Sequence, residues 1–284
     1  MYMKIIENMS FDSERALYES RDLTVKGCAF TGEADGESAL KESAFITAVD
    51  CYFNLRYPFW HTKQIKIENC ELTSACRAPI WYCNGAEIIN TKIDGTKAVR
   101  ESESITLDTC RIVSDEFGWD TKDIRIIDSY IEGLYIFSRA KNIIAKSLEM
   151  KGKYSFQYIE NATFDNCVFD TKDAFWHAKN VTVKNSVIKG EYLGWYSCGL
   201  TLINCVITGT QPLCYCRDLT LINCQMHECD LAFEKSYVYA EITTPVISIK
   251  NVIDGKITVP CVGEIICDRD EYRGIIEIKE QALV

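Results

Sequence analysis

The sequence lacks the short motifs that identify several large enzyme classes. Its 284 residues contain no Walker loop, no dinucleotide-binding glycine fingerprint and no G-x-S-x-G nucleophile motif. The chain has 15 cysteines, but no two are spaced C-x-x-C, so zinc-ribbon and thioredoxin-type sites lack support. A chain of this length can build a large core without disulfides. We therefore expect reduced, mostly buried thiols.

Long apolar runs and an excess of positive charge are also missing. No stretch approaches the roughly 18 apolar residues that span a bilayer. The chain has 41 acidic and 31 basic residues, and its net charge of −10 repels phosphate backbones and anionic membranes. We expect no nucleic-acid partner and no membrane partner. The start, MYMKIIENMSFDSER, has no basic region followed by an apolar one, which favours a cytoplasmic protein.

What the sequence does have is a repeat. Segments of the form apolar-x-apolar-x-Asn/Asp-Cys recur, as in IKIENC, ITLDTC and LTLINC, mostly in steps of 19 residues. The last positions of these segments form a column, the Cys column: Cys28, Cys51, Cys70, Thr91, Cys110, Ser129, Leu148, Cys167, Ser186, Cys205 and Cys224. A fixed period near 20 residues marks a solenoid, in which each repeat packs only on its neighbours.

Residue types select the kind of solenoid. The repeats alternate apolar and polar residues, are rich in Val, Ile, Thr, Tyr and Phe, and have no Leu-x-x-Leu-x-Leu frame. We predict an all-β, single-stranded, right-handed parallel β-helix of about 11 to 13 turns, with about 19 residues per turn stacked about 4.8 Å apart. We predict one domain, 1–284, with a first turn or cap at 1–22, regular turns at 23–237 and irregular turns with a cap at 238–284.

Further columns follow from the same frame. The Cys column and the column two residues later are predicted to point inward. That second inward column comprises Phe30, Phe53, Leu72, Ile93, Ile112, Ile131, Met150, Phe169, Ile188, Ile207 and Met226. An Asn/Asp-rich column just before the Cys column predicts a corner whose side chains hydrogen-bond along the stack. Glycines four residues after the Cys column, such as Gly95, Gly133 and Gly190, predict a second corner.

A second set of strands carries the aromatic residues. Its five-residue motifs read YPFWH, APIWY, EFGWD, DAFWH and YLGWY in different turns, and all five tryptophans of the chain occupy the fourth position. The fifth position is almost wholly polar or aromatic, so it must face water. Strict alternation would turn the tryptophans inward, whereas a bulge would place them outside with the fifth position. The sequence leaves both arrangements open.

An outward stripe of aromatic rings beside carboxylates suits a sugar, whose apolar face stacks on rings while its hydroxyls meet polar groups. We therefore predict a saccharide ligand on this stripe. The predicted ligand-binding residues are Trp60, His61, Trp81, Tyr82, Trp119, Trp176, His177, Trp195, Tyr196 and Tyr215. The alternative is that these aromatics are core packing and ordinary cross-strand ladders.

Four stripe residues on consecutive turns are candidate catalytic residues: Glu101, Asp120, Arg139 and Tyr158. Two carboxylates about 5 Å apart could serve as acid and base of a glycoside hydrolase. A lyase would use Arg139 or Tyr158 as base, with Ca²⁺ on the carboxylates, and no other cofactor is expected. The alternative is a solvated ion-pair ladder from Asp120 to Arg139 without catalysis.

We predict no resident metal site. His61 and His177 lie six turns apart in the predicted coil and cannot share one metal ion. Cys214 and Cys216 could bind a soft metal, but stacked buried thiols explain them with fewer assumptions.

The turns NLRYPFWH (54–61), KGKYSFQYI (151–159) and DTKDAFWHAKNVTVKNS (170–186) resemble a family of uncharacterised bacterial proteins with pectin lyase-like folds. The resemblance covers essentially the whole chain and implies the β-helix, but it brings no established activity or catalytic residues. The broader superfamily looks like polysaccharide lyases and galacturonan hydrolases. Two hypotheses follow: a β-helix that recognises a saccharide, with processing left open, or a non-enzymatic scaffold or protein-interaction solenoid. A homo-oligomer is compatible with both.

Overall fold

The computed structural model describes residues 4–32 and 37–279. They form an all-β parallel solenoid with about 19 residues per turn, which confirms the predicted right-handed parallel β-helix. The solenoid has about 14 turns rather than the predicted 11 to 13, because the strands after residue 237 continue the parallel pairing. The chain divides into two compact units, Met1–Glu149 and Met150–Val284, which are described one at a time. The single domain stays a prediction. No helix of the described residues is long and apolar enough to cross a membrane.

In the first unit, each turn has a longer strand on face A, a shorter strand on face B and a third face made mostly of turns. Face A comprises Lys4–Glu7, Arg21–Lys26, Ala44–Val49, Lys63–Glu68, Asn84–Ile89, Glu103–Asp108, Lys122–Ile127 and Lys141–Lys146. Face B comprises Ser10–Phe11, Ala29–Phe30, Tyr52–Phe53, Glu71–Leu72, Lys92–Ile93, Arg111–Val113 and Tyr130–Leu134. The third face has the strands Ile80–Trp81 and Val99–Arg100.

The second unit repeats this plan with a less regular end. Its face A comprises Glu160–Asp165, Lys179–Lys184, Cys198–Ile203, Leu219–His227, Tyr237–Ile242, Asp254–Val259 and Ile275–Ile278. Its other strands are Val168–Lys172, Val187–Lys189, Val206–Thr208, Val246–Lys250 and Val262–Ile266, and the strand Glu149–Lys153 begins at the last residue of the first unit.

Alternation within the strands produces the core. On face A, Ile65 lies beside Ala86, which lies beside Ile105 and then Ile124, so equivalent residues of successive turns stack. Both predicted inward columns are buried throughout. On face B, the rings of Phe30 and Phe53 stack with centroids 4.8 Å apart and planes 3° apart. Each turn therefore buries its apolar side chains against the same column of the next turn.

The cysteines behave as small core residues. All fifteen are free thiols, and the Cys column is buried as predicted. Outside that column, Cys198 is partly exposed and Cys261 and Cys267 are exposed. The buried thiols donate hydrogen bonds to carbonyl oxygens two residues earlier, as in Cys51 to Val49 at 3.2 Å. Burial raises the pKa of the Cys216 thiol to about 11. A protonated buried thiol packs well but is a poor metal ligand.

The two predicted corners are present. Asn69 and Asn204 adopt left-handed φ angles of 53° and 52°. The Asn90 amide donates to the Asn69 side-chain oxygen at 2.8 Å, and these bonds recur along the stack in both units. At the glycine corner, a Cβ on Gly190 would collide with the Thr171 carbonyl oxygen of the preceding turn. Asparagine and glycine are thus selected by backbone conformation and by the closeness of the turns.

The asparagine corner makes a prediction for stability. Asn204 donates to Asn185 at 3.1 Å and accepts from Asn223 at 2.9 Å. Asn204→Ala loses both bonds and puts a non-glycine residue without a polar side chain into the left-handed region. We expect it to lower the free energy of unfolding by about 2 kcal/mol, and Asn204→Gly, which tolerates that region, by about 1 kcal/mol. Urea unfolding of both variants measures this, and equal losses would show that the φ angle does not select asparagine here.

Candidate functional site

The tryptophans stand outside the solenoid, which decides between the two arrangements left open by the sequence. The third and sixth positions of the motif are buried, as at Phe59 and Thr62. The two residues between them, Trp60 and His61, are both partly exposed. The cause is a left-handed backbone at the fifth position, with φ of 59° at His61 and 46° at Glu101. This conformation lets two consecutive side chains point outward, so no β-bulge between paired strands is needed to place the tryptophans outside.

Three indoles are fixed along the surface by the same hydrogen bond. The Nε1 groups of Trp119, Trp176 and Trp195 each donate to the backbone carbonyl oxygen sixteen residues later, at 2.7 Å. Trp60 and Trp81 do not make this bond, and their Nε1 atoms are buried without a partner at hydrogen-bond geometry among the described residues. The orientation of the rings thus changes between the two groups of tryptophans.

In the second unit the predicted ligand-binding residues form two continuous stacks. His177 stacks on Tyr158 and Tyr196 with centroids 4.8 and 4.9 Å away, and Tyr196 stacks on Tyr215 at 4.9 Å. The rings of Trp176 and Trp195 stack at 5.4 Å, with planes 5° apart. The ring faces therefore cover each other along the stack, and mainly edges and hydroxyls meet solvent. Such a ladder offers little ring face for a sugar.

In the first unit the stacks are short and end in charged side chains. The indoles of Trp60 and Trp81 stack at 5.4 Å, and the Lys41 ammonium lies 3.7 Å from the Trp60 ring centroid. The next residue of the Trp81 column is Arg100. The fifth-position column runs from His61 to Tyr82, with centroids 5.1 Å apart, and continues with Glu101 and Asp120.

Both candidate catalytic carboxylates of this unit are engaged by arginines. Arg100 Nε donates to Glu101 Oε1 at 2.8 Å, and Arg139 donates two hydrogen bonds to Asp120, at 2.7 and 2.6 Å. The Arg100 guanidinium, followed by the Tyr82 hydroxyl, lowers the pKa of Glu101. The Arg139 guanidinium lowers the pKa of Asp120. Both groups are therefore ionised at neutral pH, and a cation would have to compete with the guanidiniums.

The other predicted residues are placed as follows. Trp119 lies between two guanidiniums, those of Arg100 and Arg139, each 5.4 Å from its ring. His61 Nδ1 lies 3.1 Å from Glu42 Oε1. Tyr158 belongs to the second unit, where it stacks on His177. Within residues 4–32 and 37–279, no group of three His, Cys, Asp or Glu side chains could hold a metal ion.

Two depressions lie on either side of the Trp81–Tyr82 pair. A shallow groove of about 460 Å³ is lined by Tyr82, Glu101 and Asp120 together with Asn84, Glu103 and Lys122. A more enclosed pocket of about 230 Å³ is lined by Tyr57, Arg77, Ala78, Trp81, Lys97 and Arg100. Sequence reasoning missed the basic residues of this pocket. The available signal was the first position of the motif, where APIWY has a small residue and YPFWH and KAVRE have large ones.

The ion pairs make a prediction about acidity. Arg139→Gln removes the main cause of the lowered pKa of Asp120, so that pKa should rise toward its ordinary value of 3.8, while the pKa of Glu101 stays low because its partner is Arg100. A lowered carboxyl pKa contributes stability above the ordinary pKa, and that contribution is lost as pH falls through the folded-state value. Carboxyl ¹³C shifts followed by NMR against pH measure both groups. Arg125→Gln, on an exposed face A position, is the control, and an unmoved Asp120 in Arg139→Gln would contradict the assignment.

Comparison with solved structures finds proteins of similar architecture at very low identity. PfbA, a surface adhesin of Streptococcus pneumoniae, is 9% identical with a TM-score of 0.42, over 86% of this chain and 82% of that one. The A-module of the Azotobacter vinelandii mannuronan C-5 epimerase AlgE4 is 10% identical with a TM-score of 0.33, over 96% and 87%.

No curated protein matches the sequence. A family model does match, over residues 4–278 and thus over nearly all of the chain. The predicted resemblance to an uncharacterised β-helix family is confirmed by this match. The chain belongs to the family described as Protein of unknown function (DUF3737).

Proposed function

We propose that the first unit binds a saccharide at the groove beside Tyr82, Glu101 and Asp120. The observation that carries this proposal is the break in the aromatic ladder after Tyr82. In the second unit each ring of this column is covered by the next, whereas Tyr82 is followed by the carboxylates. The Tyr82 side chain is 45% exposed and borders an open groove.

The groove supplies the two kinds of contact that a sugar ring needs. The Tyr82 ring stacks on the Trp81 ring, with centroids 5.1 Å apart and planes 19° apart, and its exposed part offers an apolar surface for the C–H face of the sugar. Glu101 and Asp120, held ionised by their arginines, accept hydrogen bonds from sugar hydroxyls, and Asn84 and Lys122 supply donors. Because ion pairs already fix the two carboxylates, binding costs little further loss of side-chain freedom.

The same ion pairs favour binding over glycoside hydrolysis. A hydrolase of this type needs one carboxyl group that is protonated when the substrate arrives, so that it can protonate the leaving group. The arginines lower the pKa of both Glu101 and Asp120 and oppose that state. Catalytic roles for Glu101, Asp120, Arg139 and Tyr158 stay predictions, and recognition without turnover is the function that we propose.

A second candidate function suits the second unit. Its four-ring stack from Tyr158 to Tyr215 is continuous, so ring faces are used within the stack. This arrangement favours a structural or protein-docking face, as expected for a scaffold. A scaffold would show self-association or capture a protein partner, and it would not respond to sugars.

Tyr82 and Tyr196 form a matched pair for testing the saccharide proposal. Both occupy the fifth motif position, both have left-handed φ angles and both are 45% exposed. Tyr82 borders the groove and is stacked on one ring, that of Trp81, whereas Tyr196 is stacked between His177 and Tyr215. Isothermal titration calorimetry against neutral and acidic oligosaccharides should identify a ligand class for the unaltered protein. Tyr82→Ala should weaken that binding at least tenfold, since about 1.4 kcal/mol of stacking is lost, and Tyr196→Ala should leave it unchanged.

Two outcomes would contradict the proposal. The first is no heat with any sugar at millimolar concentration, together with no change in tryptophan emission. The second is an equal loss of affinity in Tyr82→Ala and Tyr196→Ala, because a general effect on the solenoid would explain it without a groove.

A further inference from the structure

The pocket over Ala78 arises from a gap in a column of large side chains. The first motif position runs Tyr57, Ala78, Lys97, Glu116 and Tyr135 through five successive turns. Ala78 is 3% exposed, so its methyl group forms the floor of the gap. The rings of Tyr57 and Trp81 form aromatic walls, with centroids 5.9 Å apart and planes inclined by 43°. The pocket is open to solvent on one side, and its volume of about 230 Å³ is below the roughly 300 Å³ of drug-sized ligand sites, which suits one substituted ring.

The charges around this pocket are mainly positive. Three cationic side chains line it, those of Arg77, Lys97 and Arg100, and the lining formed by described residues includes no carboxylate. Two carboxylates lie beside these cations: Glu116, 3.2 Å from Lys97 Nζ and 3.6 Å from Arg100 Nη1, and Glu101, bonded to Arg100 Nε at 2.8 Å. Arg77 makes no ion pair with any residue that the structure describes. A surplus of positive charge is unusual in a chain whose net charge is −10.

Residues that are adjacent in the sequence line the pocket and the groove. Trp81 lines the pocket while the adjacent Tyr82 lines the groove, and on the next turn Arg100 lines the pocket while Glu101 lines the groove. Each pair consists of two consecutive outward side chains, and the two turns are neighbours, with Trp81 paired to Arg100. A ligand packed across this pair of turns would therefore meet carboxylates on one side and cations on the other.

We propose that the pocket over Ala78 is a subsite for an oxyanion, so that the saccharide bound by the first unit is an acidic one. This inference rests on the proposed saccharide function and names its ligand class. Guanidinium groups bind planar or tetrahedral oxyanions through paired, charge-assisted hydrogen bonds. Arg77 supplies a guanidinium without an ion pair among the described residues, whereas Arg100, whose Nε is bonded to Glu101, can offer only its terminal nitrogens. Lys97 adds a point charge, and the Tyr57 and Trp81 rings pack on the sugar that carries the anion. Carboxylate, sulfate ester and phosphate ester share this chemistry.

Ala78→Tyr fills the pocket with a residue that this column already accepts. Tyr57, Tyr135, Tyr154 and Tyr192 occupy the same position in other turns with left-handed φ angles of 54° to 60°, and Ala78 has a φ of 42°. The variant is therefore expected to fold, which a thermal melt checks. Arg77→Gln, at an exposed position, removes one charge without filling the pocket and serves if the first variant is unstable.

The experiment compares matched acidic and neutral oligosaccharides by calorimetry, with uronate, sulfated and phosphorylated forms in separate arms to identify the oxyanion. The unaltered protein should bind one acidic form at least tenfold more tightly than its neutral counterpart, and added salt should reduce this preference. In Ala78→Tyr the preference should disappear while neutral affinity persists, and in Arg77→Gln it should fall severalfold.

The outcomes separate the two proposals. Equal losses for acidic and neutral sugars in both pocket variants, or no preference in the unaltered protein, would overturn the oxyanion subsite and leave the saccharide groove intact. An acidic preference that survives Ala78→Tyr would also overturn it. Binding of simple oxyanions that is lost in Ala78→Tyr, together with no binding of any oligosaccharide, would support the pocket and contradict the saccharide function.

Discussion

The in-register stacking of parallel turns is the constraint on which the rest of the structure depends. Backbone hydrogen bonds hold each turn directly on the one before, so each side chain lies against the equivalent residue of the next turn, most often nineteen positions away, as Ile105 lies beside Ile124. A column must therefore consist of residues that tolerate one another as neighbours. Phenylalanines stack, thiols and hydroxyls fill the space between turns, and asparagine amides bond to each other, as Asn223 does to Asn204. The same constraint keeps the corners narrow and selects glycine where a Cβ would meet the preceding turn.

Because columns repeat, most of the fold could be predicted from the sequence. The period gave the turn length, and the residue types of each column gave its direction: Phe30 and Phe53 could only be core, and the asparagines could only be a corner. The direction of the tryptophans could not be predicted, since it depends on the φ angle at the next residue. Tyrosine and glutamate have no preference for the left-handed region, whereas glycine and asparagine adopt it readily and so indicate it in a sequence. Only the backbone shows that His61 and its equivalents turn two side chains outward together.

The candidate site was less predictable for a related reason. Its residues were found by their column, but their state depends on contacts between columns and turns. Glu101 is paired with its own neighbour Arg100, and Asp120 is held by Arg139 of the following turn, so the two carboxylates differ from a free acid and base pair. The stacking of His177 with Tyr196 likewise uses ring faces that a list of aromatic residues leaves available. The sequence shows an alanine in a column of large residues at this pocket. Its three cations, however, belong to three different columns, because Arg77 precedes the motif, Lys97 is its first residue and Arg100 its fourth.

Interruption of columns, rather than their regularity, is what can give such a solenoid a specific surface. In a continuous ladder the side chains of one column contact each other: rings stack on rings and amides bond to amides. A ligand can then contact little more than the edges of the rings. Where a column changes residue type, these contacts within the column end and the side chains on either side of the change are left with exposed surface. In the first unit three columns change over three successive turns. The first motif position changes from Tyr57 to Ala78, and at the next turn the fourth changes from Trp81 to Arg100 and the fifth from Tyr82 to Glu101. Exposed ring surface, fixed carboxylates and a cationic side chain without an ion pair among the described residues, that of Arg77, therefore meet at one place. Since a ligand gains most where the protein's own contacts are incomplete and the groups are already held in position, this junction is where recognition has the strongest physical basis.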